Sequence, residues 1–251
     1  MLRAGTTGSG CRTQAPLLLG QIASVNTFTI FGPAHGSAIL ALILLGGWLL
    51  ATGRRRGPDS PWVRRTCVIL GAVQLLNLAA WHIWTFARGA WDVTEALPLQ
   101  LCDIAVFVSA IALFRRQALA FELTYLWCLA GTFQGLITPN ILEPFPHFRF
   151  WQYFILHGGL VVAALFLAVC CRLRPRRGTL FRVWLASNLM ALVALVANVL
   201  LDANYMFLCE PPPTGSLLDF LGPWPWYIAG EEILAAVFFA ILLLPFRRST
   251  A

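Results

Sequence analysis

The chain has 251 residues, 59% of them hydrophobic and 12% charged, with a formal net charge of +7 and a mean hydropathy of +0.73. A water-soluble domain carries about 25% charged residues, so the composition excludes that class and indicates an integral membrane protein of one domain. All eighteen basic residues are arginine and they sit in short segments between apolar runs, so the positive balance reads as topology and not as a nucleic-acid surface.

Residues 1–35 are rich in Gly, Ser and Thr with little periodicity. Leu17–Leu19 is too short an apolar run to be the h-region of a signal peptide, so this stretch is expected to be a poorly ordered lead-in. Seven runs then approach the ~20 residues that a membrane crossing needs: 37–52, 66–87, 97–114, 119–138, 151–171, 180–201 and 226–246. Each must be helical, because an open sheet leaves backbone groups unsatisfied in lipid. The expected fold is all-α, a polytopic bundle of about seven transmembrane helices over residues 36–247, followed by a short cytoplasmic tail at 248–251.

The arginines orient it. Fourteen of the eighteen fall in the loops between runs 1 and 2, 3 and 4, 5 and 6, and in the C-terminal tail; the other loops carry Arg88 and Arg149 among Asp92, Glu95, Glu143, Glu210 and Asp219. The positive-inside rule then puts the N-terminus outside and the C-terminus in the cytoplasm. On this drawing the polar residues gather in the outer half: His35, His82, Cys102, Asp103, Asn140, His147, His157, Asn198, Asp202, Glu231 and Glu232. Such residues usually face a bundle interior or a wet cavity, which predicts one pocket open to the outer side, roofed by the Pro- and Trp-rich loops 144–151 and 222–227. Arg149 in the first of these suits a phosphate or simply snorkels to headgroups.

Seven cysteines are scattered without a CxxC spacing, so a zinc site of the usual kind is not expected. Cys102 lies near the start of the third run, where a helix dipole favours a thiolate; Asp103 beside it acts against this by charge. His157 reaches a similar depth in the fifth run and, if the two helices touch, is a candidate general base for Cys102. The blander reading makes Cys102 core filler and His157 one end of an interhelical hydrogen bond, with Gly158 and Gly159 admitting a neighbouring helix. Asp103, His82 and Asn198 are candidates to orient the imidazole. Gln100, Asn140 and the backbone N–H groups at the start of the third helix are candidates for an oxyanion hole.

Five blocks carry a family resemblance: LPLQLCD at 97–103, AGTFQGLITPN at 130–140, FPHFRFWQYFILHGG at 145–159, NYMFL at 204–208 and SLLDFLGPWPWYI at 216–228. Over about residues 35–247 the chain resembles the bacterial YwaF-type integral membrane proteins, which look related to the eukaryotic transmembrane protein 164 family of phospholipid acyltransferases. The resemblance implies a catalytic pair of Cys102 and His157, membrane lipids as partners, no cofactor or metal, no obligate protein partner, and a bacterial inner membrane as location. The rival classes are a small-solute or proton-coupled transporter, which needs a continuous polar path to the cytoplasm; a metal site of His35, His82, His147 and His157, which needs three imidazoles on one point; and a scaffold with a vestigial pocket.

Overall fold

A computed structural model describes residues 27–212 and 216–247, and among them every regular element is helical. Most of the expected lead-in, including Leu17–Leu19, and the expected tail at 248–251 lie outside the described residues. The elements in order are α1 (Pro33–Arg56), α2 (Pro61–Ala87), α3 (Leu101–Arg115), α4 (Ala118–Leu126), a π-helix (Trp127–Thr132), α5 (Phe133–Ile137), α6 (Phe148–Val169), α7 (Thr179–Leu201) and α8 (Trp226–Arg247), with 3-10 turns at Tyr205–Phe207 and Leu217–Phe220. Five of them, α1, α2, α6, α7 and α8, are long and apolar enough to cross a membrane.

Three departures from the sequence expectation bear on the site. The first helix is not short: it starts at Pro33, whose fixed φ suits a first helical position, and runs 24 residues to Arg56, so His35 lies inside it. The third starts at Leu101 and not at 97. Pro98 biases Leu97 away from the helical region, and Leu97 N–H is held instead by the Tyr205 hydroxyl at 3.0 Å. The fourth run is interrupted. Its α-helical bonds give way at Trp127 to a six-residue π-helix, which returns to α5 at Phe133.

The connecting segments alternate between two ends of the bundle. At one end Arg116, just after α3, donates to the Pro58 carbonyl at 2.6 Å and pairs with Asp59 at 3.3 Å. The α6–α7 segment reaches α4 through Arg176 and the first turn of α7 does so through Arg182, and Arg174 lies over the Phe246 ring of α8 at 5.1 Å. The arginine-rich loops therefore share one end. At the other end Gln100 Oε1 accepts from Met206 N–H at 2.9 Å, Tyr227 donates to the Phe207 carbonyl at 2.6 Å, and Phe28 N–H donates to the Leu142 carbonyl at 2.9 Å.

Helix α6 is the centre of the bundle. Buried positions make up 61% of its apolar span, against 11–28% for the other four. Lipid tails are as apolar as leucine, so close van der Waals approach and polar contacts hold helices together here, more than hydrophobic burial does. Gly158 admits Leu42 of α1 and Gly159 admits Gln74 of α2; an added Cβ would stand 2.4 Å and 2.1 Å from those side chains. Gln74 Nε2 donates to the Leu156 carbonyl at 3.1 Å and Asn77 Nδ2 to the Gln152 carbonyl at 2.9 Å. These contacts lock α2 against α6 in one register.

The arginine-rich end is clamped by Glu122. This fully buried carboxylate accepts from Arg176 N, Nε and Nη2 and from Arg182 Nε and Nη2, at 2.8–3.1 Å. The same carboxylate raises the affinity of the Arg176 guanidinium for its proton. Glu122→Gln removes the charge from this network. Because the arginines are 51% and 33% exposed, the loss is expected at the low end for a broken buried pair, about 3 kcal/mol, and thermal unfolding of the protein in lipid nanodiscs measures it.

Candidate functional site

Measured along their helices at 1.5 Å per residue from the arginine-rich end, Cys102 in α3, Thr132 in the π-helix, His157 in α6 and Gln74 in α2 all lie roughly 20 Å deep. Four elements thus contribute polar side chains to one layer. Cys102 sits in the first turn of α3, half-buried, with its Sγ 3.6 Å from Thr132 Oγ1. Among the described residues this is its one hydrogen-bonding partner, so it does not hydrogen-bond His157 directly. The N-cap residue Gln100 makes no side-chain cap, and the N–H groups of Leu101 and Cys102 find no acceptor among the described residues. Two unsatisfied backbone donors therefore stand beside the thiol at a helix N-terminus, an arrangement suited to an oxyanion.

His157 is held from its own helix. Nδ1 lies 3.0 Å from the Tyr153 carbonyl, one turn earlier. A carbonyl only accepts, so Nδ1 carries the proton and Nε2 keeps its lone pair in the neutral ring. The Tyr153 ring stacks on the imidazole, centroids 3.9 Å apart at 20°, and the Arg149 guanidinium lies over the Tyr153 ring at 5.8 Å and over Trp81 of α2 at 5.4 Å. Arg149, Tyr153 and His157 recur every four residues and form one column on α6. Arg149 also donates to Gln152 Oε1, and Asp103 lies within its field. Tyr153 Oη donates to the Gly135 carbonyl at 3.0 Å and accepts Asn140 N–H at 3.2 Å. The chain after the π-helix is thereby pinned against His157: a Cβ on Gly135 would stand 2.7 Å from His157 Cδ2 and 3.0 Å from Nε2. The segment 132–135 meets Cys102 through Thr132 and His157 through Gly135.

Other expected members of the layer have different work. None of the three candidate orienters bonds His157. Asn198, fully buried, brackets the Tyr205 backbone, donating to its carbonyl at 3.0 Å and accepting its N–H at 2.7 Å. His82 packs edge-on against Trp81 of its own helix. Asp202 ends α7 in the left-handed region at φ 58. Gln100 has its carbonyl committed to Met206, which leaves its amide N–H2 turned elsewhere. His147 caps α6, Nδ1 accepting Arg149 N–H at 3.2 Å, beneath Trp84. His35 Nε2 pairs with the Leu136 carbonyl at 2.8 Å. The four histidines thus have four separate environments, and among the described residues no three His, Cys, Asp or Glu side chains converge as metal ligands; the four-histidine site is not formed.

Two cavities, of about 360 and 330 Å³, open at the arginine-rich end, one lined by Arg56, Ser60, Pro61, Trp62 and Arg65 and the other by Arg64, Cys67, Val68, Leu113, Phe114, Arg115 and Arg116. Neither touches the Cys102 layer, where Leu101 packs 3.3 Å from the position of a Cβ on Gly131.

The family profile described as TMEM164 matches residues 30–243. The chain belongs to the TMEM164 family. Its apolar helices and that membership make it a membrane protein. No curated protein and no solved structure matches it.

Sequence reading missed Thr132, Tyr153 and Gly135. The available signal was the block AGTFQGLITPN, whose two glycines and threonine are small residues at the faces that α3 and α6 approach. Gly135→Ala is expected to displace the His157 ring at a stability cost of about 1–3 kcal/mol, as overpacking does. Gly47→Ala, where an added Cβ meets nothing within 4 Å, is the matched control. Side-chain NMR of ring-labelled histidine in nanodiscs should move one resonance in the first variant and leave all unchanged in the second.

Proposed function

We propose that this TMEM164-family protein moves acyl groups on membrane lipids, with Cys102 as nucleophile and His157 as general base. The observation that carries the reading is the joint state of the two groups. Cys102 lies beside two backbone donors that find no acceptor among the described residues, and His157 is held in the tautomer that leaves Nε2 able to accept a proton, on either side of the 132–135 segment.

In the proposed reaction Cys102 Sγ attacks the ester carbonyl of a lipid. Its proton passes to His157 Nε2, with the Thr132 hydroxyl beside the sulfur as the relay. The carbonyl oxygen gathers charge against the N–H groups of Leu101 and Cys102. Collapse breaks the ester C–O bond, the proton returns to the departing lipid alkoxide, and the acyl group stays on Cys102 as a thioester. His157 then takes the proton of an acceptor hydroxyl, from a second lipid or water, as that oxygen attacks the thioester and restores the thiol. Tyr153 supports the base through its carbonyl and ring, the role that a third group plays in other activated nucleophile pairs.

The family, the apolar helices and the gathering of arginine loops at one end also support seven crossings, with that end in the cytoplasm of a bacterial inner membrane. The site then lies in the outer half, reached from lipid, and Arg149 is the cation available to a headgroup phosphate. The test is acyl transfer from isotope-labelled phosphatidylcholine in nanodiscs, read by lipid mass spectrometry. Cys102→Ala should abolish transfer and His157→Ala lower it by about 10²–10⁴-fold, the range for a general base. Transfer at the wild-type rate by Cys102→Ala would refute the assignment.

A further inference from the structure

A second pair of thiols lies at the opposite end of the bundle from Cys102. Cys67, in the second turn of α2, and Cys171, two residues beyond the end of α6, are 104 positions apart in sequence, yet their Sγ atoms are 3.5 Å apart. Both are buried and both are free. Cys128 is buried in the same core cluster as this pair, and Cys170 points its Sγ at the Leu50 carbonyl at 3.5 Å. Two sulfurs in contact become a disulfide at about 2.05 Å, a closing movement of roughly 1.5 Å.

The surroundings favour reaction. Cys67, but not Cys171, lines the 330 Å³ cavity together with Arg64, Arg115 and Arg116, and Cys171 Sγ lies 3.5 Å from Cys67 Sγ, so a small peroxide entering there meets the pair. The Cys67 thiol as hydrogen-bond partner and the Arg116 guanidinium hold Cys171 below the usual thiol range, against the opposing effects of burial and of Asp59. A lowered thiol carries more thiolate, the form that attacks a peroxide.

We propose that Cys67 and Cys171 form a reversible disulfide site that reacts with hydrogen peroxide or a related small peroxide. The Cys171 thiolate attacks one peroxide oxygen and the O–O bond breaks. The departing hydroxide takes the proton that Cys171 released and leaves as water, with Cys171 as sulfenic acid. Cys67 sulfur then attacks Cys171 sulfur, the S–O bond breaks, and the hydroxyl leaves with the Cys67 proton as a second water. Two thiols are oxidised and one peroxide is reduced. The product ties α2 covalently to the end of α6, the same two helices that Gln74 and Asn77 join.

The test is peptide mapping of the full chain in nanodiscs after a brief peroxide pulse and alkylation in denaturant, a readout that separates this bond from the disulfide that Cys209 already forms. A Cys67–Cys171 crosslink, reversed by dithiothreitol, is expected in wild type and in Cys170→Ser, and none in Cys67→Ser or Cys171→Ser. Dimedone should trap several-fold more sulfenic acid at Cys171 in Cys67→Ser than in wild type. Cys67 left fully alkylatable after peroxide in the wild-type protein, or a crosslink from Cys171 to any other cysteine, would overturn the proposal.

Discussion

Inside a bilayer no water competes for a polar side chain, so each one must find its partner within the protein. Here the backbone of α6 meets that demand. The carbonyls of Gln152, Tyr153 and Leu156 accept from Asn77, His157 and Gln74, although each already serves its own helix. A carbonyl has two lone pairs and can do both. The same three bonds fix the α2–α6 register and the rotation of the His157 ring, so the packing of the bundle and the state of the candidate base have one origin. Among the described residues Gln74 Oε1 is the buried side-chain polar atom left without a partner. Its amide is turned by the donor end that α6 requires, at a site where Gly159 leaves no room for a side chain between the helices.

The π-helix does the complementary task on the facing wall. Each π turn takes an extra residue and rotates the next stretch of helix relative to a continuous α-helix, and such segments recur at functional sites. In this protein the rotation falls between Trp127, whose indole N–H donates to Ser187 of α7 at 2.8 Å, and Thr132, which meets Cys102. Tyr153 then holds Gly135 in place from α6. Thr132 and Gly135 are three residues apart, so one short segment touches both reactive groups.

Much of the fold was legible because membrane helices announce themselves by apolar length and arginine placement. All seven apolar runs have helical counterparts, and the loops that share arginine share an end of the bundle. Cys102 and His157 could be put at one depth by counting residues. The interruption at Trp127 could not be read, since WCLAGT is as apolar as its flanks and a π turn changes hydrogen bonding without changing composition. Nor could the partner of His157. Asp103, His82 and Asn198 were named as orienters because side chains are what a sequence displays, and the group that holds the ring is a backbone carbonyl. Gln100 and Asn198 looked like site residues for the same reason that any polar residue in an apolar run does, and both instead secure the 205–206 turn.

The most direct test of the catalytic account is a search for the acyl-enzyme. The protein in nanodiscs would be incubated with phosphatidylcholine bearing a labelled acyl chain, quenched in acid and digested, and the peptide containing Cys102 weighed before and after neutral hydroxylamine. A labelled acyl group on Cys102 that hydroxylamine removes is the predicted result. An unmodified Cys102 in a preparation that is transferring acyl chains would contradict it.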